Sequence, residues 1–71
     1  MAVYYLANGY ARGENFPCAN DKEAINICER TSESMNTANW LYKVTDNGTI
    51  ELGRTYKRLI GYVYWWKFQN N

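Results

Sequence analysis

The chain has 71 residues and a formal net charge of +1, which limits it to one domain near the lower size for folding without staples. It contains no histidine, so the usual general base near neutral pH and the commonest transition-metal ligand are both missing, and the composition argues against an enzyme. The near-neutral balance argues equally against a dedicated duplex-DNA binder, which carries a clear basic excess.

A chain this short buries only roughly 60% of its unfolded surface. A few large side chains must therefore build the core. Seven Tyr, three Trp and two Phe are available, and each such ring buries about 150–250 Å². That demand leaves no room for a substrate cavity beside the core, and no cofactor site is expected.

Residues 2–7 read as a strand, and Asn8-Gly9 after them is a type I′ turn signal. Residues 10–13 could return as a short second strand, but Gly13, Asn15 and Pro17 interrupt it. Gly9 and Gly13 lack the Lys-Ser/Thr that a phosphate-binding loop requires. Phe16 is expected to tuck against the start of the following helix.

That helix is the best-marked element. Asn20 or Asp21 supplies the N-cap, and Glu23 stands three residues after Asn20 in capping-box spacing. Ala24, Ile25, Cys28, Ser32 and Met35 recur at helical intervals with Ile27 beside them, while Lys22, Glu23, Asn26, Glu29, Arg30 and Glu33 cover the other face. The short polar run from Thr31 compromises the helix, which should end between Ser34 and Asn36.

Cys18 precedes the helix and Cys28 lies inside it. At about 1.5 Å rise per residue their separation exceeds the ~7 Å Cα limit for a disulfide. Both read as small buried hydrophobes. Without histidine or C-x-x-C spacing, no metal site is indicated.

Residues 39–45 alternate, with Trp40, Tyr42 and Val44 on one face and Leu41 and Lys43 on the other. Asp46-Asn47-Gly48 turns the chain and Thr49 to Leu52 returns it as a hairpin. The last run, residues 59–68, holds five of the twelve aromatics and alternates as well. Ile60, Tyr62, Tyr64, Trp66 and Phe68 form an apolar set suited to the helix, leaving Gly61, Val63, Trp65 and Lys67 opposite. Together the patterns specify an α+β fold, one helix packed on a small antiparallel sheet of three to five strands.

Charge is unevenly spread. Residues 21–51 carry six acids against Lys22, Arg30 and Lys43, whereas residues 52–71 carry Arg54, Lys57, Arg58 and Lys67 and no acid. Glu29, Glu33, Asp46 and Glu51 are too few and too interrupted to mimic nucleic acid, and read as a solvated face. Arg54, Lys57 and Arg58 surround Tyr56, and Trp65 and Lys67 share the outer parity of the last strand. These six residues are the candidate partner-binding set, since exposed aromatics beside cations suit a protein hot spot or a base-stacking platform. The competing reading makes the basic cluster a solvated loop and Trp65 a cover for the sheet.

The start of the chain, Met1-Ala2-Val3-Tyr4-Tyr5, lacks a charged n-region and a long apolar stretch. No apolar run is long enough to span a bilayer. The chain therefore reads as a cytoplasmic protein without membrane contact.

Two segments, Asn20-Asp21-Lys22-Glu23-Ala24-Ile25 and Asn39-Trp40-Leu41-Tyr42-Lys43-Val44 with Asn47-Gly48, set a compact strand–helix–hairpin layout rich in aromatics and asparagines. In this general character the chain resembles the small host-takeover and anti-defence inhibitor proteins of bacteriophages. The resemblance implies a non-enzymatic inhibitor or adaptor that blocks a host protein or complex by stoichiometric binding in the host cytoplasm. A single-stranded nucleic-acid or RNA-binding module using the same six residues is the alternative. Homodimer formation through the terminal strand is compatible with either.

Overall fold

A computed structural model of the protein describes residues 1–57 in full and residues 62–66 through their backbone. Five strands and one helix follow in the order β1 (Ala2–Ala7), β2 (Phe16–Cys18), α1 (Asp21–Met35), β3 (Trp40–Thr45), β4 (Gly48–Lys57) and β5 (Tyr62–Trp66). The strands form one antiparallel sheet in the order β2-β1-β3-β4-β5. The helix packs against one face, giving the α+β fold that the sequence patterns specify.

The turn after β1 departs from expectation. Among the described residues only Asn36 and Gly48 have positive φ, so Asn8-Gly9 is not the type I′ turn its dipeptide signals. Instead the Asn8 side-chain oxygen accepts from the N–H groups of Tyr10 and Ala11 at 2.8 and 3.0 Å. These side-chain bonds act together with backbone bonds from the Asn8 N–H to the Ala11 carbonyl at 2.9 Å and from the Gly13 N–H to the Leu6 carbonyl at 2.7 Å. The return arm makes a single bridge, Ala7 to Arg12. Pairing resumes further on, where β2 runs beside β1 with Pro17 opposite Val3. Proline is tolerated there because β2 is an edge strand, with one side free of ladder bonds. Phe16 stacks against Tyr4 at a ring separation of 6.1 Å and packs at the margin of the core that Ala24 and Cys28 of the helix share.

Helix α1 is capped at both ends. The Asn20 side-chain oxygen accepts from the N–H of Glu23 at 2.9 Å, and the Glu23 carboxylate accepts from the N–H of Ala19 at 3.0 Å. At the other end Asn36 takes a left-handed conformation at φ 55°, which asparagine tolerates better than most residues. Ala24, Cys28 and Ser32 are buried, and Ile25 and Ile27 pack at the margin of the core. Met35, assigned to the inner face by its spacing, is half exposed.

The core joins Tyr4, Cys18, Leu41 and Leu52 of the sheet to Ala24 and Cys28 of the helix. Both cysteines are free and buried. Burial pushes the Cys28 thiol up to about 12, and it raises the Cys18 thiol as well, assisted by the nearby Glu23 carboxylate. The Tyr4 hydroxyl donates to Asp21, whose carboxylate also lies 3.2 Å from the Lys43 ammonium. Residues at paired positions share a face. Leu6 opposite Leu41 and Tyr4 opposite Lys43 therefore lie on the helix side.

Strand β4 is longer than the sequence indicates. It runs to Lys57, so Arg54, Tyr56 and Lys57 stand in a strand and not in a solvated loop. A bulge interrupts its pairing with β3. Leu41 pairs with Gly53 and Tyr42 with Glu51, leaving Leu52 as the extra residue. Leu52 enters the core, and the alternation of β4 inverts beyond it.

Beneath the C-terminal half of α1 lies a buried polar circuit. The Ser32 and Thr55 hydroxyl oxygens are 2.7 Å apart. Thr55 Oγ1 accepts from the Asn39 N–H at 2.9 Å and lies 3.3 Å from the Asn39 carbonyl. Asn39 Nδ2 donates to Ser32 Oγ at 3.1 Å. The protons close the circuit when Thr55 donates to the Asn39 carbonyl and Ser32 donates to Thr55. Burial of these groups is tolerated because each has a partner.

Candidate functional site

The face of the sheet opposite the helix is where the side chains best suited to binding gather. Val3 and Tyr5 of β1 pair with Val44 and Tyr42 of β3, and Ala7 pairs with Trp40. Among the described residues no helix covers them. The Tyr5 and Tyr42 rings stack at 4.9 Å between centroids with 17° between planes. Burial, the Glu51 carboxylate and Tyr5 raise the Tyr42 hydroxyl above its ordinary pKa, in that order of effect.

Two guanidinium groups flank this platform. The Arg12 guanidinium carbon lies 3.5 Å from the centre of the Tyr5 ring. Its nitrogens donate to the Gly13 carbonyl at 2.8 Å and to the Asn15 side chain at 2.9 Å, which fixes the group in place. Arg54 stands over Trp40 at 4.8 Å. Each contact places a planar cation on a π face, a pairing worth roughly 0.5–1 kcal/mol at exposed sites.

The bulge at Leu52 creates the second contact. Without it Arg54 would share the parity of the core, and with it Arg54 pairs with Trp40 on the open face. Trp65 takes the register position on the other side of Arg54, which sets Trp40, Arg54 and Trp65 in one row across three strands. Tyr56 follows two residues along β4 and is 41% exposed. It pairs with Val63.

The six candidate residues divide accordingly. Arg54 and Tyr56 lie on the open face, and Trp65 joins them by backbone register. Lys57 alternates onto the opposite parity, opposite Tyr62, so it does not extend that row. Arg58 and Lys67 lie outside the described residues, as do Ile60, Gly61 and Phe68. Glu29, Glu33, Asp46 and Glu51 are dispersed over helix, turn and sheet, and form no patch.

Four residues of the platform escape a reading confined to basic clusters: Tyr5, Arg12, Trp40 and Tyr42. The alternation of Trp40, Tyr42 and Val44 was a sufficient signal for two of them. The placement of Arg12 depends on the Asn8 turn and the single bridge to Ala7, which no short pattern encodes.

A second feature sits at the other side of the Asn8 turn. A cleft of about 180 Å³ is lined by Leu6, Asn8, Ala11, Arg12, Thr31 and Met35, among others. It is smaller than the roughly 300–1,000 Å³ of small-molecule sites. Among the described residues no three His, Cys, Asp or Glu side chains are grouped to hold a metal, and no helix is long and apolar enough to cross a membrane.

No protein-family model matches this chain, and neither a curated protein nor a solved structure does.

Proposed function

We propose that this protein is a non-enzymatic binding domain that docks a protein partner on the open face of its sheet. The observation that carries the reading is the joined platform of Tyr5, Tyr42 and Trp40 with Arg12 and Arg54 laid over its rings. Tyr, Trp and Arg are the residues in which interface energy concentrates. Here their rings and guanidinium planes are held by neighbours before any partner arrives, which lowers the entropy lost on binding.

Glu51, opposite Tyr42 on the same face, favours a protein over a polyanion. The inhibitor or adaptor role follows from the general resemblance to bacteriophage host-takeover proteins. In that role the partner is a host enzyme or defence complex, blocked by stoichiometric binding in the host cytoplasm. Dimerisation through the β5 edge would be compatible with the same face remaining open.

Affinity capture from the native host with mass spectrometry tests the reading. A partner retained by the wild type and lost by Trp40→Ala and Tyr42→Ala supports it. Retention by both folded variants overturns the assigned surface.

A second reading has one observation in its favour. Guanidinium groups over aromatic rings also suit single-stranded nucleic acid, with bases stacking beside them. It requires mobility shifts with mixed-sequence single-stranded RNA that fall steeply with salt. A flat response at low salt removes it.

A further inference from the structure

Arg12 and Arg54 are held on the open face by bonds that leave part of each guanidinium unused. Arg12 donates through Nη1 to the Gly13 carbonyl at 2.8 Å and through Nη2 to the Asn15 side chain at 2.9 Å. Arg54 donates through Nε to the Thr55 carbonyl at 3.3 Å. A guanidinium carries five N–H groups, so the terminal nitrogens of Arg54 and the rest of the Arg12 fork keep donors for a ligand. Among the described residues neither group has a carboxylate partner, and residues 52–71 contain no acid.

The rings beneath these groups set their spacing. Tyr5 pairs with Tyr42 and Ala7 with Trp40, which makes Tyr5 and Trp40 diagonal neighbours on β1 and β3. Such positions lie about 7–8 Å apart, and each guanidinium sits over one of the two rings. Alternate residues of an extended segment lie roughly 6.6–6.8 Å apart and point the same way. Two carboxylates carried at that interval match two planar cations, each of which can grip a carboxylate through paired N–H groups. Glu51 stands opposite Tyr42 on the same face. A continuous polyanion meets that like charge, whereas a segment with one pair of acids can end short of it.

We propose that the partner presents an extended acidic segment, Glu-x-Glu or Asp-x-Glu in pattern, whose alternate carboxylates pair with Arg12 and Arg54. This rests on the open face being the docking surface and adds what the partner must carry there. The two arginines select the segment by charge and spacing. Tyr5 and Trp40 hold the guanidinium planes in place beforehand, so little freedom is lost on binding.

The test titrates the intact wild-type protein with acetyl-Ser-Glu-Val-Glu-Ser-amide, followed through the Arg Nε–H and Trp indole N–H NMR signals. Shifts at Arg12, Arg54 and Trp40 are expected. The peptide with glutamine for both glutamates should bind at least about tenfold more weakly, since each charge-assisted bond contributes on that scale. Acetyl-Ser-Glu-Glu-Val-Ser-amide, whose acids point to opposite sides, should bind weakly as well. Arg12→Gln and Arg54→Gln should each weaken binding about tenfold, while Lys22→Gln on the helix should leave it unchanged. Absence of shifts, or equal binding of either control peptide, overturns the proposal. Displacement of the peptide by mixed-sequence single-stranded RNA at equal charge overturns it in favour of nucleic acid. Loss of peptide binding with capture still dependent on Trp40 and Tyr42 sinks this inference alone. Capture independent of both residues sinks the docking reading instead.

Discussion

Trp40 and Arg54 are backbone partners across β3 and β4, and the Arg54 guanidinium carbon lies 4.8 Å from the centre of the Trp40 ring. The contact lies at the start of β3, in the row that Ala7 begins and Trp65 continues by register.

Trp40→Ala removes the largest ring of this row for which side-chain contacts are described. An aromatic hot-spot anchor contributes about 2 kcal/mol or more to a protein interface, so partner affinity should fall at least roughly thirtyfold. Arg54→Lys keeps the charge but loses the planar stack, and should weaken binding by a smaller factor. Surface plasmon resonance against the captured partner measures both, and unchanged affinity for Trp40→Ala would place the interface elsewhere.

The Ser32–Thr55–Asn39 circuit should behave as a unit. Thr55→Val leaves the buried Asn39 N–H without its side-chain acceptor, at about 1–3 kcal/mol. Ser32→Ala disturbs the same groups, so the pair should show a coupling energy of roughly 0.5–3 kcal/mol in a double-mutant cycle. Urea denaturation provides the four stabilities. Simple additivity would show the hydroxyls acting independently.

Asn20→Ala should destabilise the protein by about 1 kcal/mol, the usual effect of losing an N-cap acceptor. The denaturant midpoint should move while the slope stays constant. At the opposite end Asn36→Gly should be neutral or slightly stabilising, because glycine adopts φ 55° without a Cβ penalty.

Alkaline pH should unfold the protein. Burial, then the hydrogen bond to Asp21 and its charge, raises the Tyr4 hydroxyl above its ordinary value of 10.0. Cys28 rises from 9.0 to about 12. In both, the folded state holds its proton more tightly than the unfolded chain. Their stabilising effect is complete below pH 9 and declines as pH climbs toward 12 and beyond. Tyr4→Phe and Cys28→Ala should each flatten that decline in thermal melts. At pH 8, Ellman's reagent should modify Cys18 and Cys28 slowly in the native protein and rapidly in urea, since both thiols are buried and raised.

The helix was legible because its determinants are local. Asn20, Glu23 and the spacing of Ala24, Cys28 and Ser32 lie within a few residues of one another, and the observed limits Asp21–Met35 match them. Strand β1 was legible as a strand-like run, and the β3–β4 hairpin through alternation and the Asn47-Gly48 signal. Strand β2 was not, because Pro17 argues against a strand unless its position at the sheet edge is known. The Asn8 turn was misread because the chain closes there through Asn8 side-chain bonds to Tyr10 and Ala11 and a backbone bond to Ala11, without the positive φ of a type I′ turn.

The sequence by itself determined the α+β class, the capped helix and the alternation that separates Leu41 from Trp40 and Tyr42. Tertiary structure decided which of those alternating faces meets the helix and which stays open. It also decided the assignment of Arg54 and Thr55. One extra residue at Leu52 inverts the parity of β4, sending Thr55 to Ser32 and Arg54 to Trp40. A strand's period is written in its own residues, but a bulge exists only relative to the partner strand, so the composition of the binding face is fixed by pairing.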